Sequence, residues 1–353
     1  MPDWTKPMEQ TFEYFVVDPG TWKDQSKLDS KISSSTITRD EEESTLGSAA
    51  IDCVESIGEC YVRIYLVTIQ NGIKERFPLA TVLVQSPRSG FDGRVQTVSL
   101  DAYTPLIELK EKYPDIGYSI LKDQNIMDIA SRLTREKVRA PVVMGSSDTK
   151  LFYDFVANLN DSWLSFLSDL IANAKFKFDL DEMGRIGFAP VQDVASLQPV
   201  WEYTDDNSSI LYPQIDMERD MYGLPNVVEV IYSTNSGYLY SKVVNDDANS
   251  PISTVNRGRE VVYRVTDPDV IGNPTQEQMD EYAKQLLRNN SCLEYTVTYT
   301  HGYCPVRIGD CVLLNYRRAG IERIKAKVTS QTIKCEPGCP VSETAVFTTK
   351  LWG

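Results

Sequence analysis

The chain has 353 residues, of which 42% are hydrophobic and 10% aromatic, and its formal net charge is −14. Its length predicts two to four folded units, and no apolar run approaches the roughly 18 residues that a membrane helix needs. The charge argues against a protein that grips nucleic acid through its phosphates, because such binding depends on clustered Lys and Arg.

The opening Met1-Pro2-Asp3-Trp4 lacks the charged-then-apolar order of a secretory signal, so export by that route is not expected. Seven cysteines is an odd number. A chain of this size builds its core without disulfides, and the reading predicts mostly free thiols in a reducing compartment.

Phe12 to Val17 predicts a strand closed by the turn Asp18-Pro19-Gly20. A Ser/Thr-rich stretch from Ser33 to Thr38 leads into the acidic run Asp40-Glu41-Glu42-Glu43, which is expected to be a solvated loop. Tyr61 to Ile69 alternates as a strand, Asn71-Gly72 reads as a tight hairpin turn, and Phe77 to Val84 is the return strand. A further strand is predicted from Val95 to Leu100.

Between Asp123 and Glu136, apolar residues at Ile126, Ile129, Ala130 and Leu133 mark one face of a helix, with Asp123 as its expected N-cap. A second helix starts near Asp161 or Ser162 and puts Trp163, Phe166, Leu167, Leu170 and Ile171 on one side. Phe176 to Leu180 and Arg185 to Ala189 form a hairpin about Asp181-Glu182-Met183-Gly184. An extended polar crossing containing Asp205-Asp206-Asn207-Ser208-Ser209 follows.

Strands are then predicted at Asn226 to Tyr232, Tyr238 to Val244 and Glu260 to Val265. Thr275-Gln276-Glu277-Gln278 has the form of a capping box, opening a helix whose apolar face is Met279, Tyr282, Ala283, Leu286 and Leu287. Glu294 to Thr300 begins a closing meander. In it a strand is expected to enter Gly309-Asp310 from Cys304 and another to leave it, followed by Arg323 to Ile333 and Thr344 to Leu351.

The chemistry is sparse. The single histidine, His301, lies before the Gly302-Tyr303 turn without any nucleophile motif, and a surface or strand-end role is expected for it. Cys335 and Cys339 have the spacing of half a zinc site, or of a local disulfide, whereas Cys304 and Cys311 are six residues apart across the expected hairpin. Asp179 to Gly184 superficially matches a calcium loop, but Met183 and Pro190 stand where ligands belong. No phosphate-cradling glycine loop occurs. The basic segment Arg317 to Lys325 reads as a solvated edge, or as a contact for the acidic face of a neighbouring subunit. No catalytic, cofactor-binding or metal-binding residue is assigned, and no cofactor is called for.

The fold class expected is α+β, mainly β: two barrel-like β domains, residues 1–113 and 201–353, flanking a smaller α/β middle region, 114–200. That order carries a resemblance, together with the hairpin Phe178 to Phe188, the helix led by Pro274-Thr275-Gln276-Glu277-Gln278 and the segment Val306-Arg307-Ile308-Gly309-Asp310-Cys311-Val312. Across nearly its whole length the chain resembles the baseplate hub proteins of tailed phages and related contractile injection systems, the late-control D type.

The resemblance implies a non-enzymatic homotrimer in the virion tail, assembled in the host cytoplasm. Each chain would give two similar domains to a ring that adapts the six-fold tail tube to a three-fold tip. Implied partners are the tail tube or distal tail protein, a central spike or tail-tip protein and the tape-measure protein. DNA would pass through the lumen without specific binding, which suits an acidic wall. The chain stops at Leu351-Trp352-Gly353, so any lysin or spike is expected on a separate chain. A different class of function remains open at this point: a tail-tip carbohydrate-binding or wall-degrading enzyme working through paired carboxylates. A zinc-stabilised interaction module is a third.

Overall fold

A computed structural model describes every residue except 1, 29, 56, 92–95, 220, 235–236, 267, 269–273 and 353. The fold is mainly β, with few helices. The chain divides into two compact units: Met1–Ile215 with Thr298–Ala345, and Asp216–Val297 with Val346–Gly353.

One large sheet runs in the order Leu211–Arg219, Cys292–Gly302, Pro340–Lys350, Ile321–Lys334, Ile32–Asp40, Gly47–Cys53, Gln96–Tyr103, Ile73–Phe91, Cys60–Gln70, Glu9–Val17, Asp24–Lys27. Cys311–Tyr316 joins it beside Ile321–Lys334, and Trp201–Thr204 pairs with Cys311–Tyr316 in parallel. The β-rich stretches from opposite ends of the chain are thereby stitched together. Ser330 to Lys334 lies antiparallel to Asp40 to Thr36, a pairing that no local pattern announces.

The hairpin of Cys60–Gln70 with Ile73–Phe91 turns at Asn71 (φ 53°) and Gly72 (φ 80°), the two left-handed residues that a tight hairpin requires. Tyr61 to Thr68 is buried residue after residue, because both faces of this strand are covered. The predicted strand beginning at Val95 is observed as Gln96–Tyr103, and Val95 itself lies outside the described residues.

The second covering layer is the middle region. Helix α1 (Ile107–Lys110) is short and carries the buried Glu108, which accepts from the Tyr61 hydroxyl (2.5 Å) and from Arg139 Nε (2.7 Å). Helix α2 (Ile126–Lys137) buries Ile126, Ile129, Ala130 and Leu133 as the spacing predicts. Its cap is Asn125, whose side chain accepts from the Asp128 amide (3.0 Å); Asp123 sits two residues earlier in a left-handed conformation (φ 66°), outside capping position. Helix α3 (Trp163–Ala172) is capped by Ser162 and buries Trp163, Phe166, Leu167, Leu170 and Ile171, each contributing about 1.5–3 kcal/mol of apolar transfer energy. These helices share a core with Val17, Trp22, Tyr61 and Leu83 of the sheet.

The hairpin of Phe176–Leu180 with Ile186–Pro190 docks by its tip onto the sheet. Trp22 Nε1 donates to the Met183 carbonyl (2.7 Å), and Thr81 Oγ1 to that of Glu182 (3.1 Å). The buried Arg63 guanidinium reaches Met183 O (3.1 Å) and Asp24 (2.7 Å). Gly184 is left-handed (φ 74°), and a Cβ there would lie 2.8 Å from Thr81 Cβ, so both the backbone and the space demand glycine.

Three local expectations change. Residues 205–209 form a turn: the Asp206 carboxylate accepts from the Ser208 amide (2.8 Å), and the chain bends back instead of running extended. The acidic run is not wholly solvated: Glu42 and Glu43 are exposed, whereas Glu41 is held between two lysines. No strand enters Gly309-Asp310 from Cys304. The incoming strand ends at Gly302, Pro305 removes an amide donor, and Asp310 closes a loop by accepting from the Arg307 amide (2.8 Å).

In the second unit, Val227–Thr234 is the central strand, antiparallel to Gly237–Val244 and parallel to Val262–Thr266. Helix α4 (Thr254–Arg257) is a single turn. Helix α5 (Gln276–Asn290) starts with the predicted capping box and packs Met279, Ala283 and Leu287 on Val228 and Val230, with Tyr282, Leu286 and Trp352 alongside.

Candidate functional site

Two groups of charged side chains in the first unit differ in access. The first is sealed. Along Cys292–Gly302 the inward positions are Leu293, Val297, Tyr299 and His301, and along Pro340–Lys350 they are Val341, Glu343, Ala345 and Phe347. A histidine and a glutamate therefore meet inside, at 3.4 Å and without solvent exposure. His301 stands at the end of its strand, one of the two roles expected for it, but it is buried and not on the surface.

Glu343 also accepts from the Tyr299 hydroxyl and from Gln331 Nε2 (2.7 Å). The Gln331 amide donates as well to Val306 O (3.0 Å). His301 Nδ1 donates to Gly302 O (2.7 Å), and Nε2 lies 3.1 Å from the Tyr203 hydroxyl, which is 3.3 Å from Cys304 Sγ. Burial alone would lower the imidazolium pKa, but the Cys304 sulfur and the Glu343 carboxylate overcome it and push it up to about 10. Burial, with the Glu343 charge added, drives the Tyr203 and Tyr299 hydroxyls well above their ordinary range. The cluster is a buried polar core whose members hydrogen-bond one another.

The second group opens to solvent around the Gly309-Asp310 turn. Gly309, left-handed at φ 88°, donates to Val328 O (2.7 Å), which pins the turn beside Lys327. Lys327 Nζ donates to Glu41 Oε1 (2.6 Å), and Lys177 Nζ, from the middle-region hairpin, donates to the same oxygen. Burial would raise the Glu41 pKa, but the two ammonium groups outweigh it and hold the carboxyl below the usual carboxylate range. Its other oxygen is enclosed and receives no hydrogen bond from the described residues. Arg307 is engaged by Glu182 (2.9 Å), Asp179 (3.5 Å) and Leu180 O (2.7 Å). Burial pushes the Asp310 carboxyl up, against the pull of the Arg307 amide. Glu41, Lys177, Asp179, Arg307, Gly309, Asp310 and Lys327 line a cleft of about 210 Å³, with Phe178, Val191, Leu197 and Ile308 among its apolar residues.

The remaining sequence candidates separate. All seven cysteines, including Cys304, Cys311, Cys335 and Cys339, carry free thiols. Among the described residues no group of three or more His, Cys, Asp or Glu converges as a metal site. In the calcium-like stretch, the Asp181 carboxylate is used by the Arg185 amide (2.8 Å) and Nε (2.6 Å), as a hairpin turn would use it. Of the basic segment, Arg318 and Arg323 lie near Asp205 (3.9 Å) and Glu202 (3.5 Å). No described helix is long and apolar enough to cross a membrane.

The chain shares its fold with solved tail proteins. Over 96% of its length and 97% of theirs it is similar to the tail protein of Neisseria meningitidis MC58, with 13% identity and a TM-score of 0.63. It is similar, over 95% and 98%, to the 43 kDa tail protein of prophage MuSo2 from Shewanella oneidensis, with 12% identity and a TM-score of 0.62. It is also similar to a chain of the Francisella PdpA–VgrG complex in its half-lidded form, with 9% identity and a TM-score of 0.57, over 97% of this chain but 58% of that one. No protein-family profile and no curated protein sequence matches the chain.

Proposed function

We propose that the chain is a structural, non-enzymatic tail hub: a homotrimeric ring at the distal end of a phage tail or tail-like particle, joining a six-fold tube to a three-fold tip. The observation that carries this reading is the agreement of fold with two tail proteins, one of them from a prophage, over almost the full length of both chains. In it residues 1–113 and 201–353 are two similar wall domains and 114–200 is the middle domain. That functional division cuts across the compact units, because Ile321–Lys334 pairs with Ile32–Asp40 and binds the first and third parts into one sheet.

Partners in this reading are two further copies of the chain, the tube or distal tail protein above, a spike or tail-tip protein below and the tape-measure protein. The net charge of −14 suits a lumen through which DNA slides without adhering. Native mass spectrometry and electron microscopy of the purified chain, alone and with its tube protein, test the proposal. A three-chain ring with six similar wall pieces is expected; a chain that stays monomeric even with the tube protein present overturns it.

A further inference from the structure

The cleft beside Gly309-Asp310 has a charge arrangement that its own contacts do not exhaust. Lys177 and Lys327 share one carboxylate oxygen, and their side chains are 32% and 22% exposed, while Glu41 is 17% exposed. Each ammonium has three protons to donate. One from each goes to Glu41, so further donors of both lysines remain for the space that these residues line.

The other charges on the wall are already committed. Arg307 is occupied by Asp179 and Glu182, and Asp310 accepts from the Arg307 amide. Glu41 offers nothing more, because its second oxygen is enclosed. What faces an incoming group is thus a pair of ammonium ions with unused donors, set in a wall that also carries the apolar side chains of Phe178, Val191, Leu197 and Ile308, the Gln192 amide and the paired charges of Arg307 with Asp179 and Asp310. A free inorganic anion would gain nothing from the apolar part of that wall, whereas a carboxylate carried on a side chain satisfies the ammoniums and lays its own carbon atoms against Phe178, Val191, Leu197 and Ile308.

We propose that this cleft receives an Asp or Glu side chain of a partner protein. The inference rests on the geometry of the first unit alone and stands whether or not the chain forms a ring.

The test uses the full chain with isotopically labelled lysine side chains. The Lys177 and Lys327 signals are assigned through K177Q and K327Q, each checked for an unchanged thermal midpoint, so that one folded variant suffices. Titration with acetyl-Gly-Glu-Gly-amide is expected to shift these two lysines saturably. The analogue acetyl-Gly-Gln-Gly-amide should bind about tenfold more weakly, the cost of roughly one charge-assisted hydrogen bond. Inorganic phosphate at equal concentration should shift them less than the Glu peptide. Equal responses to the Glu and Gln peptides, no saturable response, or phosphate binding as tightly as the Glu peptide would each overturn the proposal.

Discussion

The two charged clusters of the first unit use the same kinds of groups to opposite ends. Around Glu343 every charge is shut away and every polar atom has a partner; around Glu41 the ammonium groups remain within reach of water. The difference lies in strand position. His301 and Glu343 sit on inward faces of neighbouring strands, whereas Lys177, Lys327 and Glu41 converge where a hairpin, a strand and a loop meet. Burial makes the first cluster energetically consequential. Access makes the second weak in stability and available to a ligand.

The sharpest way to break that contrast is to remove one member of the sealed pair. Glu343→Leu leaves His301 and the Tyr299 hydroxyl without their acceptor and should cost about 3–5 kcal/mol in urea unfolding. A loss below about 1 kcal/mol would mean that the cluster is hydrated in solution. At the hairpin tip, Gly184→Ala forces a left-handed backbone on a residue with a Cβ and should cost roughly 1–2 kcal/mol before any clash with Thr81. A thermal midpoint unchanged within error would show that the tip does not stay docked.

The pH dependence follows from the sign of the His301 shift. A folded pKa of about 10 lies above the unfolded value near 6.5, so the stabilisation is fully present below that unfolded value and is lost as pH rises through about 10. Unfolding free energies from pH 6 to 11, with H301Q as reference, should converge at the alkaline end. Parallel curves would mean that the imidazole is neutral in the fold. The smallest effect belongs to the open cleft: Lys327→Gln should change stability by less than about 1 kcal/mol, and by less still at high salt. A loss as large as that of Glu343→Leu would erase the distinction between the clusters.

Much of this was legible in the residues. Alternation marked the strands, Asn71-Gly72 marked the hairpin, and Thr275 with Gln278 marked the start of α5, because each is a local pattern with a local cause. The sealed pair carried a signal as well. Counting by twos from Leu293 places His301 inward, and counting from Val341 places Glu343 inward, so a buried histidine facing a buried acid could have been read from the two strands. The cleft carried none. Lys177, Glu41 and Lys327 are far apart in sequence, and each alone is an ordinary surface charge.

By itself the sequence determined the mainly β character, the helix faces and the order of pieces on which the resemblance to tail hub proteins rests. Only the tertiary structure decided that Ile321–Lys334 pairs with Ile32–Asp40, that Glu41 is held between two lysines and that His301 is buried against Glu343. The physical reason is range. Periodicity, capping and turn chemistry act over a few residues, while strand pairing between chain ends and the burial of a charge depend on groups that only the completed sheet brings together.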